Sequence, residues 1–443
     1  MEMSCKPFVK PMTPATRRRP TTPTHHEIRH APYHPTSHLQ GPEARPRKRT
    51  GARPTNSTPS SPCRTRKAPG PRTFQSLARP RTRPSPGKRV VASVGVHDPA
   101  RMEIRRLDLR RHDESDAWYR ALREAPSADR VAPVVVEREA LLTSLRSNDG
   151  NPNYDRRAYG AWCGTRCVGA ALLVLPRHDN THLAEIGIDV PPHARRRGVG
   201  RAMFDRLRDV ARQEGRTVLA TEVDAAGIGP HTLAAAPGGR FALACGFSPK
   251  HTELRLVLDV PVPEMRLRAL EETAAKRATE YHVVGWTGLP PLDVLEPFAH
   301  LHTLMDADVP TGELSREPVV YDAERVLHGQ ERLVEQGYGL VTTLIRDQAD
   351  SPVGYTTMFV MGGGNREVLQ DNTFVLRSRR GRGLGMRAKL SNLRLLSEHY
   401  PHVRRVHTWT AEDNDAMRAV NQRLGFRPVE TMYQLERALD RRA

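Results

Sequence analysis

Two short runs in this 443-residue chain set an arginine beside closely spaced glycines: Arg195-x-x-Gly198-x-Gly200 and Arg380-x-x-Gly383-x-Gly385. Glycine allows positive φ and lets the main chain approach a ligand closely. At a helix start the first N–H groups lack intrahelical acceptors and sit at the positive end of the helix dipole. A turn of this kind opening a helix is an anion cradle. Arginines at its edge, here Arg195, Arg197, Arg380 and Arg382, can add charge-assisted bonds to a phosphate oxygen. Outside a strand–turn–helix setting the same letters describe a flexible nucleic-acid-binding tract. No Gly-Lys-Ser/Thr follows, so the runs are not P-loops. Their spacing is shorter than a dinucleotide fingerprint, and hairpins precede them.

The flanking sequence supplies the strand–turn–helix setting twice. From Met102, MEIRRLDL alternates as a half-buried strand does, and DESDAWYRALREA opens a helix with acidic residues. YGAWC and CVGAALLVL flank a Gly-Thr turn, and HLAEIGIDV leads into the first cradle. The helix after it carries Met203, Leu207, Val210 and Ala211 on one face. TVLATEV, FALACGF and ELRLVLDV complete the block. The order then recurs. Helical segments at Leu292–Met305 and Ala323–Glu335 precede the strands GYGLVTTLI and GYTTMFVM. A Gly362–Gly364 hairpin turn comes next, then DNTFVL and the second cradle. Its helix carries Met386, Leu390, Leu393 and Leu396, before RRVHTWT and AMRAVNQRLGF. The cradles lie 185 residues apart, as a tandem duplication places them. The expected domains are 102–260 and 282–438, joined by a partly helical linker, 261–281.

The net charge of +19 points toward nucleic acid until it is divided by region. Residues 1–101 hold 21 Lys/Arg against 4 Asp/Glu, a surplus of 17, so only +2 belongs to the rest. The same segment has 18 of the 37 prolines, a composition that resists a packed core. It reads as a disordered basic tail that would bind polyanions weakly and salt-sensitively, or as the product of a start assigned upstream of Met102. Five cysteines imply no disulfide framework; Cys163 and Cys167 flank a hairpin turn rather than forming half a metal site, and no metal is expected. No apolar run is long enough to span a membrane, so a cytoplasmic location is the simplest expectation.

The two cradles and their setting resemble the GCN5-related (GNAT) N-acetyltransferases, in which Arg/Gln-x-x-Gly-x-Gly/Ala binds the pyrophosphate of acetyl-CoA. The resemblance covers roughly 102–260 and 282–438, as in tandem actinobacterial acetyltransferases such as mycothiol synthase. It implies a mixed-sheet α/β fold in each half. It implies that the main chain of Arg195–Gly200, through Gly198, Val199 and Gly200, and of Arg380–Gly385, through Gly383, Leu384 and Gly385, holds cofactor phosphates. The strands Ile186–Val190 and Thr373–Leu376 would splay from their neighbours, with Val190, Val375 and Leu376 beside the pantetheine arm. Asn414 matches the family position near that arm. Seven residues on, where many members carry a tyrosine that protonates the departing thiolate, stands Asn421; the first half has Ala235 and Ala242 at the two landmarks. The second half is therefore the expected catalytic one.

The implied reaction is attack of a small-molecule or peptide amine on a thioester, with a base taking the amine proton. Glu185 and Asp371, at the strands leading into the cradles, are the candidate bases; the plainer reading makes both solvated strand-edge carboxylates. Glu412 and Tyr433 are reserve candidates by position. Trp409, Phe247 and Phe426 read as core, and His407 as a paired sheet histidine. The alternative activities are acyl-CoA binding without catalysis, and nucleic-acid binding through the tail.

Overall fold

The computed structural model describes residues 102–148 and 150–440; the basic tail lies outside them. Strand β1 (Met102–Arg106) is followed by helices α1 (His112–Asp129) and α2 (Arg138–Arg146). Then come strands β2 (Tyr154–Cys163), β3 (Arg166–Pro176) and β4 (Leu183–Asp189), helix α3 (Val199–Gln213) and β5 (Val218–Ala226). The short helices α4 (Thr232–Ala235) and α5 (Pro237–Ala244) lead into β6 (Ser248–Asp259). The second half opens with α6 (Glu264–Arg277), β7 (Tyr281–Thr287), α7 (Leu292–Asp308) and α8 (Ala323–Glu335). It continues with β8 (Gly339–Asp347), β9 (Pro352–Val360), β10 (Glu367–Val375), α9 (Leu384–His399), β11 (Arg405–Ala411), α10 (Asp415–Leu424) and β12 (Arg427–Ala438).

Local chemistry accounts for these elements. The β2–β3 hairpin turns at Gly164, whose φ is 62°, between Cys163 and Cys167, and both thiols are free. The Asp322 side chain caps α8 by accepting from Arg325 N at 2.8 Å. The apolar stripe of α3 buries Met203, Phe204, Leu207, Val210 and Ala211 against β3 and β4. The stripe of α9 buries Met386, Leu390, Leu393 and Leu396. Asn392 lies fully buried beside it, donating to the carbonyls of Val341 and Thr356 and accepting from Thr343. Most of the expected linker is helix α6, tied to α9 where Arg394 reaches Glu264 and Glu271.

All twelve strands form one sheet in the order β1-β2-β3-β4-β5-β12-β6-β11-β10-β9-β8-β7. Only β4·β5 and β10·β11 are parallel. The last strand of each half pairs with a strand of the other half. The final strand of the chain, β12, pairs with β5 over nine residues, Glu430–Ala438 against Val218–Ala226. The final strand of the first half, β6, pairs with β11 over seven. The exchanged strands also pair with each other. The centre of the sheet thus alternates between halves, and no edge is exposed where they meet.

Candidate active site

Both cradles form as their spacing predicts. Gly198 and Gly383 occupy the N-cap positions of α3 and α9 in left-handed conformation, φ 81° and 79°, and no side chain caps either helix. The first amides of each helix are left to the cradle. Arg196 and Gly381 also have positive φ, 60° and 79°, which turns successive N–H groups inward as an anion nest does.

Beside each cradle the sheet forks. β4 pairs with β5 only from Leu183 to Glu185, and β10 with β11 only from Glu367 to Leu369. Where main-chain pairing stops, a threonine hydroxyl bridges the strands: Thr221 donates to Ile186 O at 2.9 Å, and Thr408 to Gln370 O at 3.3 Å. A shift of register between Gln370 and Thr373 bends β10 away. The splayed segments expected before Val190 and Leu376 therefore exist in both halves.

Both motif arginines have protein partners, and Arg380 also lines the cavity described below. Arg195 Nε donates to Val190 O at 2.8 Å, and its guanidinium pairs with Asp129 at 2.7 Å. Arg380 Nε donates to Val375 O at 3.0 Å and pairs with Asp308, which also holds Arg377. Each arginine thus ties the end of a strand to the end of the first helix of a mixed unit, α1 or α7. In both halves the guanidinium braces the turn. Arg382 is likewise committed, to the Tyr281 hydroxyl at 3.2 Å. Arg197 is an exposed side chain.

A cavity of about 910 Å³ joins the second cradle to the second fork. Gly381, Gly383, Leu384 and Gly385 line one end, and Thr408–Ala411 with Asn414 and Met417 line the wall. None of Arg195–Gly200 lines it. Its far side is built by strands of the first half and by β12: Glu185 and Glu222 on β4 and β5, Glu253 on β6, and Glu436. Segment 309–322 covers this side, held by Asn180, which exchanges hydrogen bonds of 3.0 and 2.6 Å with Glu317, and by Ser315 N donating to Glu436 at 3.0 Å. Asp371 and Glu185, candidates from opposite halves, thus face one cavity.

Asn414 lines this cavity but spends its Oδ1 as the cap of α10, accepting from Met417 N at 3.1 Å. Asn421 does not line it. Two turns along α10 it lies fully buried behind β11, donating to Thr410 Oγ1 at 3.0 Å. Trp409, read as core, lines the cavity instead. His407 is a buried sheet residue, as expected: Arg255 donates to its Nδ1 at 2.8 Å, so Nε2 carries the proton and meets Glu367 at 2.6 Å. Val190, Val199, Val375 and Leu376 hold their places at the turns, although Val199 is packed into the first core.

Some cavity residues carried no sequence signal. His302 on α7 stacks on Tyr355 at 4.5 Å between centroids, and Phe298 meets it edge-on. Burial pushes the His302 imidazole down to about 3, so it is a neutral hydrogen-bonding group at working pH and not a base. Burial also drives the Tyr355 hydroxyl well above its ordinary range, with the Asp371 carboxylate adding to the shift.

The first half contributes to a buried ion network. The segment after α1 brings Arg130 against Asp224 and Glu430, both at 2.9 Å, and all three are buried. Arg255, wholly buried, closes on Glu430 at 2.7 Å.

A family model described as the acetyltransferase (GNAT) family matches residues 116–229. Among solved structures, a tandem GNAT protein from the clavulanic acid biosynthesis pathway, determined without AcCoA, is 26% identical. That match covers 76% of this chain and 98% of the other, with a TM-score of 0.59. A GCN5-related N-acetyltransferase from Sphaerobacter thermophilus shares the fold at 14% identity, over 76% of this chain and 96% of its own, with a TM-score of 0.51. No curated protein sequence matches significantly. Residues 116–229 thus match the acetyltransferase (GNAT) family, which supports acyltransferase activity, and the chain shares its fold with a tandem GNAT protein. No helix among the described residues is long and apolar enough to cross a membrane.

Proposed function

We propose that the second half transfers an acetyl group from acetyl-CoA to the amine of a small molecule or peptide. The observation that carries this reading is the cavity in which the Gly381–Gly385 cradle, the β10/β11 fork and a wall of carboxylates meet. The donor set suits the group: uncapped amides at a left-handed turn for a diphosphate, with Arg379 and Arg423 on the rim. Acetyl-CoA held there supplies the activated acyl group. The carboxylates of Glu185, Glu222 and Glu253 attract a protonated amine into the cavity, and Asp371 takes the proton that the amine must lose before it attacks. The halves act as two domains by origin, 102–260 and 282–438, with the first serving as the acceptor wall of the second. The cavity, which the second cradle lines and the first does not, supports this division of labour.

Calorimetry with acetyl-CoA and CoA release against a broad panel of amines tests the reading. Saturable binding with turnover on at least one amine is expected. Tight binding with no turnover on any amine would make the protein an acyl-CoA-binding module instead. Asp371→Asn is expected to lower kcat by about 10²-fold, the scale of a lost general base, with acetyl-CoA affinity unchanged.

A further inference from the structure

Helices α3 and α9 carry different side chains at one matched buried position. Four residues after its second glycine, α3 has Phe204, fully buried and edge-on to Phe247 with centroids 6.0 Å apart. At the same point α9 has Lys389, only 2% exposed, its Nζ 5.7 Å from the ring centroid of Phe426. Phe247 and Phe426 themselves match, each following a glycine at the start of an exchanged strand. Among the described residues Lys389 makes no hydrogen bond and no ion pair. A buried lysine whose ammonium meets only an aromatic ring is costly, and the first half shows that the fold is satisfied by an apolar ring here. Packing does not explain this lysine.

Its location does. Lys389 lines the cavity, one turn beyond the cradle, and helical side chains lean back toward the N-terminus of their helix. The charged groups lining the cavity from neighbouring elements are Glu253 of β6, Arg277 of α6, Asp371 of β10, Arg379 and Arg380 just before α9, Asp413 before α10 and Arg423 on α10. None of them pairs with it. Burial brings the ammonium down to about 7, where it gives up and regains a proton readily.

We propose that Lys389 is the catalytic acid that protonates the departing sulfur, an inference that rests on the acetyl-transfer reading above. Any thioester cleavage releases a thiolate, and a thiol with an ordinary pKa of about 8.5 is well matched to such an acid. Asn421 has no proton to give and lies behind the wall. As the acceptor nitrogen bonds to the carbonyl carbon, the carbon–sulfur bond breaks and its electron pair passes to sulfur. Lys389 Nζ delivers one proton there, becomes neutral, and is reprotonated from solvent. The acceptor loses its own proton to the base. The phosphate end already has the cradle amides and the rim arginines, and Lys389 lies deeper along α9.

The test compares the wild-type protein with Lys389→Met and Lys389→Arg. Methionine should fold with a Tm at least equal to wild type, since it removes an unpaired buried charge. It should lower kcat by about 10²-fold and leave the acetyl-CoA Kd within about threefold. In wild type, kcat falls as pH rises through the Lys389 pKa, because the acid is then spent; Lys389→Met should lack that alkaline limb. Followed by thiolate ultraviolet absorbance, the thiol of bound CoA should titrate lower in wild type than in Lys389→Met. Arginine, which keeps the charge but releases no proton, should stay slow. Wild-type kcat in Lys389→Met, rescue by arginine, or a loss confined to Kd would each overturn the proposal. Wild-type protein that binds no acetyl-CoA would overturn the acetyl-transfer reading with it.

Discussion

Gly383→Val is expected to cut kcat/KM by on the order of 100-fold, while Gly198→Val leaves turnover near wild type. Both glycines sit at left-handed φ, 81° for Gly198 and 79° for Gly383. Valine there costs at least about 1–2 kcal/mol of backbone strain in either half. A Cβ at Gly198 meets nothing within 4 Å, and one at Gly383 approaches only Arg277, at 3.8 Å. Neither variant is therefore blocked by packing, and their stabilities should fall equally. The functional loss comes from re-aiming the amides of the second cradle. Losing one or two charge-assisted bonds, each worth roughly 1.5–3 kcal/mol, gives that scale. Turnover and calorimetry on the pair read it directly. Should Gly198→Val abolish turnover and Gly383→Val spare it, catalysis belongs to the first half.

The contrast between these glycines shows what spacing alone reveals. A cradle is local: a strand, a turn needing positive φ, and an amphipathic helix lie within some twenty residues, and each leaves a pattern. The same holds for α8, where an aspartate cap and an apolar stripe mark both ends. The roles of Arg195 and Arg380 are not local. Their partners Asp129 and Asp308 lie 66 and 72 residues away, and nothing in the motif distinguishes a guanidinium facing a phosphate from one tied to a helix end. Strand exchange is equally hidden. β6 and β12 alternate as good strands do, and alternation fixes a face but names no neighbour. Because the exchange brings Glu222 and Glu253 to the second cavity, the acceptor wall could not be read either. Lys389 was masked for another reason: one charged residue beside an apolar stripe reads as surface until its burial is known.

The exchange also explains where the fold is most vulnerable, and Glu430→Ala is expected to destabilise it by about 3–5 kcal/mol, the range for breaking a buried ion pair on one side. Glu430 is the second member of a ladder with one residue on each of five adjacent strands. Asp224 is on β5, Glu430 on β12, Arg255 on β6, His407 on β11 and Glu367 on β10. Arg130 joins the first two, and Val131 N donates to Glu430 at 2.6 Å. Removing this carboxylate leaves Arg130 and Arg255 buried with less compensation. Burial alone would raise the Glu430 pKa, but the two guanidinium groups outweigh it and hold the carboxyl below its ordinary value of 4.5. A depressed carboxylate stabilises the fold above its unfolded pKa, and that contribution fades as pH falls through the folded value. Wild-type stability should therefore drop below about pH 4.5, and Glu430→Ala should lose part of that acid sensitivity. Urea unfolding across pH reads both effects. Because the ladder alternates between halves, unfolding should also occur in one transition that shifts as a whole in the variant. Two transitions, only one of them moved by the substitution, would mean that the exchanged strands do not bind the halves into one cooperative unit.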